Sequence, residues 1–303
     1  DPARSGRPGD RGGDEMRRGG WGRREDDVDP VLPVEIAMRP KLEFSAGSAS
    51  EVPLESYANG RISDRDLEHA PERFPSDPPR TKEELLYRLI FEAVKAAVVI
   101  DPGPALCLDL GGGSLEIMVG DRSKLSLAAS VPLGVARLSA ELVTGDPLTA
   151  DDARRLEKRV TSVLAPLADD VARLRPAMAI GSSGTFCDLA RMVAARRTGS
   201  VPRSINQFTF SRDELLPLHE EFLAKRASER ASIPGLEAKR ADIIATGSTV
   251  LLTAMELFGF DRMTVSEWAL REGIVLDVIP RHEAADWSGD PGAIRATSVL
   301  QLA

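Results

Sequence analysis

The stretch Leu106-Cys107-Leu108-Asp109-Leu110-Gly111-Gly112-Gly113-Ser114-Leu115-Glu116-Ile117-Met118-Val119 constrains the fold more than any other part of the chain. An apolar run, three consecutive glycines and a second run with apolar residues at alternate positions read as strand, tight turn and strand. So short a connection joins only antiparallel strands. Asp109 stands near the end of the first strand and Glu116 near the start of the second. Glycines lack a Cβ and let backbone N–H groups approach an anion. Two carboxylates beside that anion suit a divalent cation. The plain alternative is a bare hairpin, with Asp109 as a turn residue and Glu116 on a solvent face by alternation. Asp109 weighs against it, because a carboxylate at the end of so apolar a strand is costly unless a cation or donors meet it.

A second small-residue turn strengthens the reading. Ala177–Ile180 reads as a short buried strand, followed by Gly181-Ser182-Ser183-Gly184-Thr185 and a helix from about Phe186 to Ala195. A helix N-terminus after such a turn offers free N–H groups and the positive end of the helix dipole. Two turns of this kind in one chain, one beside paired acids, point to phosphate binding.

The rest of the chain alternates helices and strands. Thr81 and Glu84 form a capping-box pattern ahead of a helix whose apolar face is Leu85, Leu86, Leu89, Ile90, Ala93, Val94 and Ala97. Pro102 and Gly103 end that element. A third strand is predicted around Leu125–Val131, and a long helix over Ala150–Leu174 with Thr149 as N-cap and a break at Pro166. Phe208–Phe210 reads as a strand, and Ser211 with Glu214 caps a helix to about Lys225. Further on come a helix from Leu236 to about Phe258, a strand at Arg262–Ser266 and a helix at Ala269–Ile279. The pattern is α/β with mixed sheets.

At 303 residues there is length for two domains. The formal net charge of −8 argues against nucleic-acid binding, which needs clustered positive charge. No apolar run spans a bilayer and no secretory signal is evident, so no membrane partner and a cytoplasmic location are the default expectations. Cys107 and Cys187 sit in apolar runs and read as buried small hydrophobes. His69, His219 and His282 lack metal-ligand spacing and read as solvated.

Leu108 to Glu116 closely resembles the second phosphate motif of the Ppx/GppA family, the exopolyphosphatases and guanosine pentaphosphate phosphohydrolases. Ile180–Thr185 looks like the family's next glycine motif. Arg240-Ala241-Asp242 and Ser266–Gly273, with Leu270-Arg271-Glu272-Gly273, are similar to its closing motifs. The motifs occur in order over about residues 85–279. The resemblance implies an actin/sugar-kinase-like pair of ribonuclease-H-type domains. It also implies magnesium-assisted hydrolysis of a terminal phosphate from polyphosphate or guanosine pentaphosphate. Asp109 and Glu116 would be the catalytic pair, holding Mg2+ and orienting the attacking water. Gly111, Gly112, Gly113 and Ser114 would cradle phosphate, with Gly181, Ser182, Ser183, Gly184 and Thr185 across the cleft.

The chain departs from the family at its start. The family's opening phosphate loop is absent, and so is a short Ala-Thr-rich stretch with an arginine. Arg88 fits the arginine of a Glu-Glu-Ala-Arg pattern, but Leu85 and Leu86 stand where the glutamates belong. Leu86 takes the place of the general base, and leucine cannot accept a proton. Glu83 and Glu84 lie nearby, Glu83 one turn away. Gly60–Leu67 reads as a remnant helix start. The domain expectations are therefore disorder over 1–30, weak structure over 31–80, and the remainder of an incomplete first domain at 81–135. A second domain would occupy 136–280, with an irregular tail at 281–303. The uncovered sheet edge of an incomplete domain invites pairing, hence a homodimer. An impaired phosphatase is the leading expectation. A non-catalytic module binding polyphosphate or guanosine tetraphosphate is the alternative, and a kinase or ATPase of the same superfamily has little support.

Overall fold

A computed structural model describes residues 67, 68, 70–74 and 78–282. The expectations for residues 1–30, for Gly60–Asp66 and for 283–303 lie outside these residues, as does most of 31–80. Within 67–80 a helical turn forms at Ala70–Arg73.

Six strands make one mixed sheet: β1 (Ala105–Leu110), β2 (Leu115–Gly120), β3 (Leu125–Val131), β4 (Met178–Ser182), β5 (Thr209–Ser211) and β6 (Arg262–Val265), in the order β3-β2-β1-β4-β6-β5. β1 pairs antiparallel with β2, and β2 with β3. β4 adds parallel to β1, with a parallel β6 and an antiparallel β5 beyond. β1 and β4, expected in separate domains on either side of residue 136, are thus neighbours in one sheet. That boundary does not separate two sheets.

Among the described residues the helices of eight or more residues are α1 (Lys82–Ala97), α2 (Val135–Leu142), α3 (Ala150–Leu174), α4 (Gly184–Thr198), α5 (Arg212–Ala224), α6 (Ile244–Phe258) and α7 (Leu270–His282). Both faces of the central strands are covered. Leu106, Leu108 and Leu110 join a large core with α2 to α6, whereas Ala105 and Cys107 pack against Tyr87, Ile90, Phe91 and Val94 of α1. This is why β1 and β2 are buried at every position. Cys107 and Cys187 are free and buried, as expected.

Capping chemistry sets several boundaries. The Thr81 hydroxyl accepts the Glu84 N–H at 3.1 Å, and the Glu84 carboxylate reaches back to the Arg80 N–H at 2.6 Å. Thr149 caps α3 with Asp152 in a full capping box, and Ser211 with Glu214 does the same for α5. Other elements depart from expectation. Pro166 does not break α3; the helix runs through it. The helix expected from Leu236 begins at Ile244, after a 3-10 turn at Ala238–Arg240. α7 continues to His282, into the expected tail. His219 is not solvated: its Nδ1 lies 2.8 Å from Ser248 Oγ, and burial pushes its pKa down to about 4.

Candidate active site

The register of the sheet assembles a row of polar side chains. Asp109 on β1 stands opposite Glu116 on β2, Glu116 opposite Ser130 on β3, and Asp109 beside Ser182 on β4. Side chains alternate along a strand, so all four share the face that carries Cys107, Met118, Ala128 and Ile180 under α1. Directly opposed Cβ atoms in such a ladder lie ~5 Å apart. The solvent-facing alternative for Glu116 therefore fails: it is 6% exposed, and Asp109 is 7% exposed.

The two acids differ in surroundings. Glu116 Oε1 accepts hydrogen bonds from Ser114 Oγ at 2.6 Å and Ser130 Oγ at 2.9 Å. Burial raises its pKa, and those hydroxyls oppose the rise. Asp109 has no comparable donors. Burial, and then the Glu116 charge, push it up to about 7; Glu272 adds to the rise. The Ser182 hydroxyl alongside offsets part of it, yet makes no hydrogen bond of ordinary geometry and is left buried without a partner. An orphaned hydroxyl beside two crowded carboxylates would suit a hard divalent cation that keeps waters and substrate oxygens in its remaining positions. Among the described residues no three or more His, Cys, Asp and Glu side chains form a metal cluster. The fit is to such an open site, not to an all-protein cage.

The triglycine turn joins β1 to β2, the two middle strands of this row, just beyond Asp109 and Glu116. Gly111 N–H bonds Ser114 C=O at 3.0 Å, closing the turn, while the Gly111 and Gly112 carbonyls accept the first N–H groups of α2 from Val135, Ala136 and Arg137 at 3.0 Å each. The N–H groups of Gly112, Gly113 and Ser114 make no backbone bond among the described residues. None of the three glycines has a positive φ, and a Cβ built on Gly113 meets nothing within 4 Å. Neither backbone strain nor internal crowding explains glycine at Gly113. A bare backbone facing open space does suit an oxyanion held by amides.

The second loop is tied to the first. Ser183 Oγ donates to Leu110 C=O at 2.7 Å, just where β1 enters the triglycine turn. Ser183 has φ 90°, a strained conformation for a non-glycine residue, and its hydroxyl does not cap α4. The first amides of α4 make no backbone bond among the described residues. Both loops leave the C-terminal ends of the parallel strands β1 and β4, the usual binding edge of an α/β sheet. Of the expected residues, Ser182 joins the acid row and Ser183 is bonded to the first loop, whereas Gly181 lies against the Phe186 ring and Thr185 is buried against Gly247.

A protein-family model described as the Ppx/GppA phosphatase family matches residues 83–282. The chain belongs to the Ppx/GppA phosphatase family. It is 35% identical over 201 residues to an uncharacterized protein of Streptomyces coelicolor, covering 64% of this chain and 57% of that one. It is 32% identical over 213 residues to exopolyphosphatase 1 of Mycobacterium leprae, covering 70% and 60%. The chain therefore spans about 60% of the length of these relatives. A crystal structure of an exopolyphosphatase from Cytophaga hutchinsonii shares the fold, with a TM-score of 0.59 and 22% identity over 76% of this chain and 87% of that one.

The closing motifs of this Ppx/GppA chain are partly structural. Ser266 N–H bonds Gly181 C=O at 2.9 Å, extending the β4–β6 pairing, and Ser266 Oγ accepts the Trp268 N–H at 3.1 Å. Glu272 accepts the Ala269 N–H at 2.9 Å and caps α7. Gly273 allows α7 to cross α1, since a Cβ there would lie 2.0 Å from the Leu89 carbonyl oxygen. Leu86 packs at the edge of the cluster containing Met118 and Ile180, an apolar side chain on the helix that covers the carboxylate row.

Sequence reading missed one contributor and left the places of two others undetermined. Ser130 follows only from the β2–β3 register. The Ser182 hydroxyl, expected on phosphate, lies beside Asp109. Arg240 comes from a distant turn, and its guanidinium lies where a Gly184 Cβ would be, 2.0 Å from Nη2.

Proposed function

We propose that this chain binds the terminal phosphate of inorganic polyphosphate and hydrolyses its phosphoanhydride bond with the help of Mg2+. The observation carrying this reading is the opposed, buried pair Asp109 and Glu116 beside open triglycine amides. The name of the mycobacterial relative supports the substrate.

In this reading Asp109, Glu116 and the Ser182 hydroxyl hold Mg2+. Bound there, it neutralises phosphate charge and makes Asp109 ionise readily despite its burial. The amides of Gly112, Gly113 and Ser114 receive the developing charge on the terminal phosphoryl oxygens, preorganised by the hydrogen bonds that fix the turn on α2. Ser114 and Ser130 hold one Glu116 oxygen and leave the other for the cation side. The α4 amides and Arg240 take a neighbouring phosphate from the other loop. Phosphoryl transfer depends on such positioning and charge neutralisation more than on covalent chemistry.

Phosphate release from long-chain polyphosphate and from guanosine pentaphosphate, measured with Mg2+, tests the reading and ranks the two substrates. Release lost in Asp109→Ala is the expected result; no release from folded wild-type protein overturns it. Leu86 favours a second reading, binding without turnover, because the α1 side chain packed on that cluster is a leucine, which cannot accept a proton. Calorimetric binding of polyphosphate with no release would establish that reading.

A further inference from the structure

Asp188 is fully buried one turn inside α4, on the same helix face as Gly184, and lies between two arginines. Its Oδ2 is 3.3 Å from Arg240 Nε, and its Oδ1 is 3.4 Å from Arg191 Nη1. Arg191 in turn reaches Glu267 Oε1 at 3.5 Å, and Ser204 Oγ donates to Glu267 Oε2 at 2.6 Å. Asp188 is thus fixed from both sides. A buried carboxylate is costly to keep, and packing alone would be served as well by an apolar residue.

The Arg240 side of the arrangement is asymmetric. Its shortest approaches to acids are made by Nε, to Asp188 at 3.3 Å and the half-exposed Glu237 at 3.5 Å, and Nε makes no full hydrogen bond. Nη1 and Nη2 have no hydrogen-bond partner among the described residues. Both overlie Gly184, within 2.8 Å of where its Cβ would be. A structural arginine–carboxylate pair normally uses two N–H groups in a fork. Here the pair of amino groups that suits a phosphate is left without a partner, beside first amides of α4 that make no backbone bond among the described residues.

We propose that Asp188 is a positioning residue. From within α4 it holds the Arg240 guanidinium flat on Gly184, so that Nη1, Nη2 and the α4 amides meet one phosphate of the chain substrate together. This rests on the phosphate-binding reading of the second loop given above. Asp188 touches no substrate; it acts through Arg240, and Gly184 is glycine because the guanidinium occupies the space of its side chain.

The test is a double-mutant cycle on the full chain with Mg2+ and long-chain inorganic polyphosphate, reading Kd by calorimetry and KM and kcat by phosphate release. Asp188→Asn is expected to raise Kd and KM roughly tenfold, the scale of one charge-assisted hydrogen bond, with a smaller change in kcat. Arg240→Ala should do the same, and the double variant should bind no more weakly than Arg240→Ala alone. Unchanged Kd in Asp188→Asn, or a full Asp188→Asn effect persisting in the Arg240→Ala background, overturns the proposal. Should Asp188→Asn not fold, Arg240→Lys keeps the charge facing Asp188 but lacks the paired amino groups. A Kd for that variant equal to wild type also overturns the proposal. Wild-type protein that neither binds nor hydrolyses polyphosphate refutes the functional reading and this inference together. Wild-type binding with an unaffected Asp188→Asn refutes the inference alone.

Discussion

Gly134 lies so close beneath Gly113 that a Cβ on Gly134 would stand 2.2 Å from the Gly113 carbonyl carbon and 2.3 Å from its nitrogen. The N-terminus of α2 is thereby pressed against the triglycine turn, and the turn's shape depends on the bareness of both backbones.

Two substitutions separate that support from the binding face. Gly134→Ala forces backbone against backbone and is expected to cost about 1–3 kcal/mol of stability and to abolish polyphosphate binding. Gly113→Ala meets no atom within 4 Å and needs no positive φ. Its Tm should shift by little, while polyphosphate affinity falls. Thermal unfolding and calorimetry on both variants check this. Equal loss of stability in the two would show the open face of the turn to be merely structural.

Mg2+ should stabilise the wild-type chain. A ligand at a hundred times its Kd adds about 2.7 kcal/mol when it binds only the folded state. Asp109→Asn and Glu116→Gln each remove one carboxylate from the proposed cation site, and the Mg2+-dependent rise in Tm should shrink in both. A rise of wild-type size in both variants would place the cation elsewhere.

Asp152 gives a stability prediction away from the site. Its buried carboxylate accepts the N–H groups of Thr144 at 3.2 Å, Gly145 at 3.1 Å and Thr149 at 3.0 Å, and the Thr144 hydroxyl at 2.9 Å. Burial works to raise its pKa, but these donors prevail and hold it at about 2. The folded value lies below that of the unfolded chain. The stabilisation is therefore present above about pH 4 and is lost as the pH falls through about 2. Asp152→Ala should cost about 3 kcal/mol at pH 7. Denaturant unfolding at pH 7 and pH 2.5 should show the gap between wild type and variant narrowing at the lower pH.

Gly273→Ala tests the α1–α7 crossing. The added methyl would collide with the Leu89 carbonyl oxygen, so α7 must move off α1. A loss of about 1–3 kcal/mol is expected. Unchanged unfolding would show that the two helices do not meet there.

Much of this was legible in the chain itself. The hairpin around Gly111–Gly113, the Thr149 and Ser211 caps and the pairing of Asp109 with Glu116 all follow from neighbours in sequence, where spacing and turn chemistry decide. α2 was missed for a physical reason. Gly134 offers no capping side chain, and the first N–H groups of α2 are satisfied by the carbonyls of a turn more than twenty residues earlier. The same holds for Ser130, Arg240 and Asp188, whose meaning depends on strand register and on a turn packed across α4. Pro166 and His219 misled because a helix can be held straight by its packing, and a lone histidine can find a hydroxyl across a helix pair.

Because Ser130, Glu116, Asp109 and Ser182 each come from a different strand, their separation is dictated by the main-chain ladder and not by rotamer choice. The gauge of the site is thus built into peptide geometry. Sliding any one strand by a single position would turn its member of the row to the opposite side, so the arrangement exists only in correctly threaded molecules.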